Sequence, residues 1–187
     1  SHVITQKGLT RTFQNIKLIN NMTVFYKVRI GQHCRGSSNL LGALFRPPST
    51  RREEKEMSER TMSLLEDVGL ADRKDELASN LSYGMQRKLE IARALASEPK
   101  ILLLDEPAAG MNPQETKELT QFISNLKDKG LTILLIEHDM KLVMNICKKV
   151  VVLDHGAKIA EGVPQEIQNN SAVIEAYLGK GAAKCSQ

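Results

Sequence analysis

The chain has 187 residues, which is enough for one full domain. Its 41% of apolar and 26% of charged residues exclude a disordered or collagen-like protein. No apolar run reaches the roughly 20 residues that a membrane-spanning helix needs. The three cysteines are odd in number and far apart in the sequence, which argues against a disulfide framework. They also show none of the spacings of a zinc site, which argues against structural zinc.

Positive charge is concentrated at the start of the chain. Residues 1–52 contain nine of the 26 Lys and Arg residues and none of the 22 Asp and Glu residues. Such an asymmetry favours an anionic partner: nucleotide phosphates, nucleic acid or the cytoplasmic leaflet of a membrane. A basic surface that only faces solvent is the alternative.

The first 80 residues have an irregular pattern. Residues 31–50 are rich in Gly, Ser and Pro, which predicts a loop. Apolar residues at helical spacing predict a helix over residues 51–68, and Gly69 follows it as a stop signal.

Strands and helices alternate in the second half. The short apolar runs 100–104 and 131–136 are typical of strands buried on both faces of a sheet. Between them, Asn112 and Pro113 provide a cap and a favourable first residue for a helix that ends at Gly130. Its predicted buried stripe is Leu119, Phe122, Ile123 and Leu126.

After the second strand, Asp139 can cap another helix that runs to about residue 147. Residues 149–153 and 158–160 flank a turn sequence, which predicts a hairpin. Strands that alternate with helices at these spacings predict an α/β fold with a mainly parallel sheet.

Two adjacent acids end the first of these strands. Asp105 follows four apolar residues and is expected at the C-terminal edge of the sheet, where open α/β folds bind ligands. A carboxylate there can hold a magnesium ion, and Glu106 could orient or deprotonate an attacking water. The alternative is a strand that simply leaves the sheet into solvent.

A second candidate site opens the helix after Leu81. Ser82 and Gly84 stand at its start, where unpaired backbone N–H groups and the helix dipole favour an anion. Taken alone, Ser82 is more simply explained as a helix cap.

A third candidate is His138, which follows the second apolar strand. We expect it at the same sheet edge as Asp105, where its imidazole could hydrogen-bond a terminal phosphate. A structural histidine is the alternative. Gln14, in the sequence TFQN, carries almost no information by itself.

Five motifs in this order resemble the nucleotide-binding subunit of an ATP-binding-cassette (ABC) transporter, and they extend over nearly the whole chain. They correspond to the Q-loop at Gln14, the signature motif at 81–86, Walker B at 101–106, the D-loop at 108–113 and the switch histidine His138. The segments LSYGMQRKLEIARAL, DEPAAGMNP and LLIEHDMKLVM are similar to the ATPase subunits of branched-chain amino-acid importers.

The resemblance implies an ATPase coupled to transport, with ATP and Mg²⁺ as cofactors. It implies a phosphate-loop NTPase-like sheet flanked by helices, with an inserted α-helical subdomain. The implied catalytic residues are Glu106 and His138. The implied nucleotide-binding residues are Gln14, Ser82, Gly84, Gln86 and Asp105, and Gln14 and Asp105 would also hold the metal.

The resemblance also implies partners and a location. Ser82 and Gly84 would meet the γ-phosphate of ATP bound to a second cassette, so the working unit would be a dimer. Integral-membrane permease subunits would hold it at the cytoplasmic face of the membrane, and no nucleic acid would be bound. The expected divisions are a Q-loop segment (1–19), a helical signature subdomain (20–90), an α/β core (91–162) and a helical tail (163–187).

One expected motif is absent from the sequence. The phosphate loop, G-x-x-x-x-G-K followed by Ser or Thr, should precede Gln14 but does not occur in the 187 residues. We therefore expect an N-terminally truncated cassette, without the first strands of the sheet. Losing three phosphate hydrogen bonds costs about 4.5 kcal/mol, over a thousandfold in affinity, so hydrolysis by this chain alone should be negligible.

Two alternatives stay open. The chain could be a non-catalytic cassette remnant that binds a permease or a partner cassette. A DNA-repair type of ABC ATPase is a distant alternative. Such an ATPase would normally have a long coiled coil inserted between its halves, and this sequence has no sustained heptad pattern. Two departures from the family pattern are mild. The signature motif has Tyr83, Gly84 and Met85 where the general pattern has Gly-Gly-Gln, and the D-loop has Asn112 where many cassettes have Asp.

Overall fold

The computed structural model describes residues 4–5, 7–12, 21–34 and 48–178. The chain forms two compact units, Ser1–Ile136 and Glu137–Gln187, and each is described by itself. The helices of the first unit are α1 (Val24–Ile30), α2 (Pro48–Asp67), α3 (Tyr83–Leu95) and α4 (Pro113–Asp128). Its strands are β1 (Leu9–Arg11), β2 (Ile101–Asp105) and β3 (Thr132–Ile136).

The three strands of the first unit form a parallel sheet in the order β1-β2-β3. Leu9 pairs with Ile101, and Asp105 pairs with Ile136. Because the strands are parallel, their C-terminal ends meet at one edge, where β2 ends at Asp105. This arrangement confirms the predicted α/β fold with a mainly parallel sheet.

The prediction that both long strands are buried on two faces is wrong. Leu102 and Leu104 of β2 are fully buried, but Ile101 is 40% exposed, and in β3 Leu134 and Ile136 are 57% and 49% exposed. Successive side chains of a strand point to opposite faces, so one face is covered and the other is not. A continuous apolar run does not reveal this difference.

Helix α4 agrees with its sequence signals. Asn112 Oδ1 accepts a hydrogen bond from the backbone N–H of Glu115 at 2.9 Å, and the Glu115 carboxylate accepts one from the backbone N–H of Asn112 at 3.1 Å. This reciprocal capping box satisfies two N–H groups at the helix start. All four residues of the predicted apolar stripe are buried, and the helix ends before Gly130 as predicted.

The predicted loop over residues 31–50 is wrong at both ends. Residues Gly31–Cys34 form a 3₁₀ turn directly after α1, and α2 already begins at Pro48. Proline suits the first turn of a helix because its missing N–H would have no partner there. Residues 35–47 lie outside the described residues.

The helical part of the first unit contains a buried ion cluster, which consists of Lys27 on α1 and Glu90 and Arg93 on α3. Lys27 Nζ lies 2.9 Å from Glu90 Oε1, and Arg93 Nη2 lies 2.6 Å from Glu90 Oε2. The side chains of Lys27 and Glu90 are only 3% and 6% exposed. Desolvation lowers the pKa of Lys27 against the opposing hydrogen bond to Glu90. This basic residue of the N-terminal segment is therefore not available to an anionic partner.

The second unit is small. Its elements are α5 (Met140–Ile146), β4 (Val150–Asp154), β5 (Ala157–Gly162), α6 (Pro164–Gln168) and α7 (Ser171–Leu178). Strands β4 and β5 form the predicted hairpin, and the turn residues His155 and Gly156 both have positive φ, which suits a two-residue turn. The core consists of Val143, Val150, Ile167 and Val173. Among the described helices, none has the length and apolar character needed to span a membrane.

Candidate functional site

An ion pair occupies the C-terminal edge of the sheet. Arg11, the last residue of β1, donates from Nη2 to Asp105 Oδ2 at 2.6 Å. The Arg11 side chain is 53% exposed, whereas that of Asp105 is 18% exposed. The predicted metal-binding carboxylate therefore lies at the predicted edge, and a positive side chain already contacts it.

Glu106 leaves the strand in an unusual backbone conformation. Its φ is +43°, in the left-handed region that costs a non-glycine residue about 1–3 kcal/mol. Its backbone N–H donates to the carbonyl of Ile136 at 2.9 Å, so β2 and β3 stay paired to the last residue. Because Glu98 and His155 also have positive φ, this strain alone does not identify a site. It does fix the direction in which the chain leaves the sheet edge.

Helix α3 begins as the sequence predicted. Ser82 is its N-cap, and Ser82 Oγ accepts a hydrogen bond from the N–H of Met85 at 3.4 Å. Gln86 does not point away from the helix start: its Nε2 donates to the carbonyl of Leu81 at 2.9 Å. In this structure the Gln86 amide thus stabilises the turn that precedes the helix.

Gly84 lies against the start of α4. A Cβ on Gly84 would lie 2.6 Å from Oε1 of Glu115, the residue that completes the α4 capping box. A side chain on residue 84 would therefore displace the Glu115 carboxylate and disturb the capping box of α4. The sequence analysis missed Glu115, and the spacing from Asn112 to Glu115 was the signal that could have revealed it.

The ring of Tyr83, at the start of α3, lies next to the turn that follows Glu106. A Cβ on Gly110, whose φ is +77°, would lie 3.4 Å from Tyr83 Cε1. Arg87 Nη2 donates to Tyr83 Oη at 2.9 Å, and the Arg87 guanidinium lies 5.3 Å from the centre of the Tyr83 ring. The signature helix and the predicted D-loop therefore contact each other within the first unit.

His138 belongs to the second unit. Its side chain is 76% exposed, and its Nδ1 lies 3.9 Å from Oε2 of Glu137, whose side chain is 1% exposed. Asp139 follows as the N-cap of α5, as predicted, and accepts from the N–H groups of Lys141 and Leu142. Because His138 and Asp105 lie in different units, their convergence on one ligand stays a prediction.

The structure describes six of the seven candidate residues, since Gln14 lies outside the described residues. It brings Asp105 and Glu106 together at the end of β2 and places Ser82, Gly84 and Gln86 at the start of α3. Within the described part of the chain, no three His, Cys, Asp or Glu side chains form a group that could hold a metal. Asp105 itself could supply one carboxylate to a metal site.

Two family models match the chain. One, described as "ABC transporter", matches residues 1–109, which is more than half of the chain. The other, described as "Branched-chain amino acid ATP-binding cassette transporter", matches residues 157–183.

Two relatives are similar along nearly the whole chain. The high-affinity branched-chain amino acid transport ATP-binding protein BraF of Pseudomonas aeruginosa is 47% identical over 180 residues, which cover 96% of this chain and 71% of the relative. A probable branched-chain amino acid transport ATP-binding protein, LivG of Archaeoglobus fulgidus, is 35% identical over 95% of this chain and 68% of the relative.

The fold is also similar to a solved structure. The crystal structure of an ATP-binding cassette of an ABC transporter in its ADP conformation superposes with a TM-score of 0.78. It is 34% identical, and the match covers 96% of this chain and 71% of that chain. The chain belongs to the family of ABC transporter ATPases, as the order of its motifs predicted.

Proposed function

We propose that the chain is the ATP-binding and ATP-hydrolysing subunit of an importer for branched-chain amino acids. The observation that carries this proposal is the strand β2, which ends in Asp105 and Glu106 at the ligand-binding edge of a parallel sheet. The substrate class is supported by the names of the similar transport proteins and by the family match at residues 157–183.

Asp105 fits the role of a magnesium ligand. Mg²⁺ is usually held by one or two carboxylates together with waters and phosphates, and Asp105 supplies one partly accessible carboxylate at the sheet edge. Gln14 is proposed as a second metal-binding residue. When bound, Mg²⁺ would neutralise negative charge on the phosphates of ATP.

Glu106 is proposed as the residue that orients and deprotonates the attacking water. It directly follows Asp105, and its backbone is fixed by the hydrogen bond to Ile136. His138 is proposed to hydrogen-bond the terminal phosphate, which its exposed side chain is able to do.

The start of α3 is proposed to bind ATP that a second cassette holds. Ser82, Gly84 and Gln86 would contribute, with Ser82 and Gly84 meeting the γ-phosphate where the helix dipole favours negative charge. The partners are then a second cassette and the permease subunits at the cytoplasmic face of the membrane. The basic residues of segment 1–52 would face this assembly, except Arg11, Lys27 and Arg52, which form ion pairs within the chain.

The 187 residues alone are proposed to be inactive. They contain no phosphate loop of the pattern G-x-x-x-x-G-K followed by Ser or Thr, so these hydrogen bonds to ATP must come from outside these residues. The same observation favours a second candidate function, a non-catalytic cassette that binds a permease or a partner cassette.

Titration of a fluorescent ATP analogue into the 187-residue chain tests the weak-binding part. We expect no saturation in the micromolar range, because three missing phosphate hydrogen bonds reduce affinity about a thousandfold or more. A micromolar dissociation constant would contradict it.

The catalytic part requires a chimera in which the segment of BraF outside the matched region is joined to this chain. We expect Glu106→Gln to reduce its ATPase rate by about 10²- to 10⁴-fold while ATP binding is retained. The matched control is Glu66→Gln on the exposed surface of α2, which should leave the rate unchanged. A chimera that binds ATP but never hydrolyses it, with or without Glu106, would favour the non-catalytic function.

A further inference from the structure

Arg11 places a positive charge directly on the carboxylate at the end of β2. The two residues are 94 positions apart in the sequence, and their hydrogen bond of 2.6 Å takes up Oδ2 of Asp105. A hydrogen bond between two charged groups at this distance is strong for its type. The pair therefore occupies one of the two carboxylate oxygens through which Asp105 could bind a metal ion.

The backbone next to Arg11 is firmly attached to β2. Arg11 pairs in register with Leu103, and the next residue, Thr12, donates from its backbone N–H to the carbonyl of Leu103 at 3.0 Å. Arg11 thus has a fixed starting point two positions before Asp105 along the sheet.

The Arg11 side chain is nevertheless able to leave. More than half of it is exposed, and exposed ion pairs contribute little to stability because water screens them and the side chains lose freedom. A divalent cation on the same carboxylate would lie a few ångströms from the guanidinium, where like charges repel. The two positive groups therefore compete for the same carboxylate.

We infer that Arg11 is a positioning residue that occupies the Asp105 carboxylate while no divalent cation is bound and is displaced when a cation binds. This inference rests on the proposed function, in which Asp105 holds Mg²⁺. Its consequence is that Arg11 weakens cation binding in the absence of nucleotide. The positive charge of Arg11 thus balances the negative charge of Asp105 until the phosphates of ATP supply additional ligands for the cation.

The chain offers a matched control in Arg73. Its side chain is 46% exposed and its Nη1 lies 3.5 Å from Glu76 Oε2, so it is a similarly exposed arginine in an ion pair. It lies in the turn Ala71–Arg73 before α3 and is not part of the sheet edge. Neutralising Arg73 removes the same charge from the chain without touching Asp105.

Mn²⁺ is a suitable probe because it broadens the NMR signals of nearby amides. In the 187-residue chain we expect Mn²⁺ to broaden the amides of Leu104, Asp105 and Glu106. In Arg11→Gln, the half-broadening concentration should fall about three- to tenfold, because the competing charge is gone. It should stay unchanged in Arg73→Gln and in Arg11→Lys, which retains the charge, and Asp105→Asn should abolish the local broadening. Thermal unfolding of each variant checks that it is folded.

The outcomes separate the inference from the proposed function. Equal half-broadening concentrations in the wild type and Arg11→Gln would overturn the role of Arg11 but leave Asp105 as a cation ligand. Equal tightening in Arg73→Gln would also overturn it, since the effect would then reflect total charge. Absence of broadening near Asp105 in every variant would overturn both the inference and the proposed metal role of Asp105.

Discussion

Two ion clusters in the first unit use the same chemistry in opposite surroundings. In the helical part, Glu90 bridges Lys27 and Arg93 with almost no exposure of its side chain. At the sheet edge, Arg11 and Asp105 lie 2.6 Å apart, the same distance as Arg93 and Glu90, but Arg11 is more than half exposed. Exposure, and not distance, therefore decides which ion pair is essential for the fold and which can be broken at little cost.

The largest effect is expected for Glu90→Ala. Removing this carboxylate leaves the Lys27 ammonium buried without its partner, which costs about 3–5 kcal/mol in the free energy of unfolding. Urea unfolding followed by circular dichroism measures this loss.

Two control variants test whether burial causes this difference. Glu59→Ala removes a carboxylate 3.6 Å from Lys55 on exposed α2, where a pair contributes about 0.3–0.5 kcal/mol. Arg11→Gln should cost no more than about 1 kcal/mol. A loss below about 1 kcal/mol for Glu90→Ala would mean that burial does not separate the two clusters.

Two glycines provide the next largest effects. A Cβ on Gly31 would collide with the backbone carbonyl of Arg93, next to the buried ion cluster, so Gly31→Ala should cost about 1–3 kcal/mol. A Cβ on Gly84 would meet only the end of the Glu115 side chain. Gly84→Ala should therefore cost about 1 kcal/mol, through the disturbed capping box of α4.

A double variant tests this explanation for Gly84. In a Glu115→Ala background the obstacle is gone, and alanine is the better helix former by about 1 kcal/mol, so Gly84→Ala should no longer destabilise. The same cost in both backgrounds, measured by urea unfolding, would show that Glu115 is not the reason for glycine at this position.

The smallest effect concerns an exposed ion pair in the second unit. Hydrogen bonds from Lys149 and then Lys158 lower the pKa of Glu161 to about 2. Because this pKa lies below the ordinary value of 4.5, the contribution of Glu161 to stability is complete above about pH 4.5 and is lost as the pH falls towards 2.

NMR titration of the Glu161 carboxyl measures this midpoint directly. In Lys149→Ala the midpoint should move upwards towards 4.5, since the larger of the two causes is removed. A midpoint that does not move would show that Lys158, and not Lys149, is the main cause of the lowered pKa of Glu161.

Local signals predicted local structure well. The start of α4 at Asn112 and Pro113, the helix that follows Asp139 and the hairpin around His155 and Gly156 each depend on residues only a few positions apart. The parallel direction of the sheet followed from the alternation of strands and helices, and the end of β2 at Asp105 followed from its apolar run.

Contacts between distant segments could not be predicted in the same way. The Arg11–Asp105 pair requires knowledge that β1 lies next to β2, which no periodicity reveals. The sequence likewise does not reveal that Lys27, which belongs to the basic segment 1–52, is buried and paired with Glu90. The sequence predicted burial on both faces of β3, because an apolar run does not reveal whether another element packs against each face.

The 94 positions between Arg11 and Asp105 also bear on how the chain reaches this structure. The backbone hydrogen bonds of helices α1 and α3 join residues only four positions apart, whereas β1 can pair with β2 only after a long loop has closed, which makes this step slow. During refolding, protection of the β1 amides against hydrogen exchange should therefore come after protection of the helices. The Arg11–Asp105 pair then forms only after the helices, when β1 joins β2.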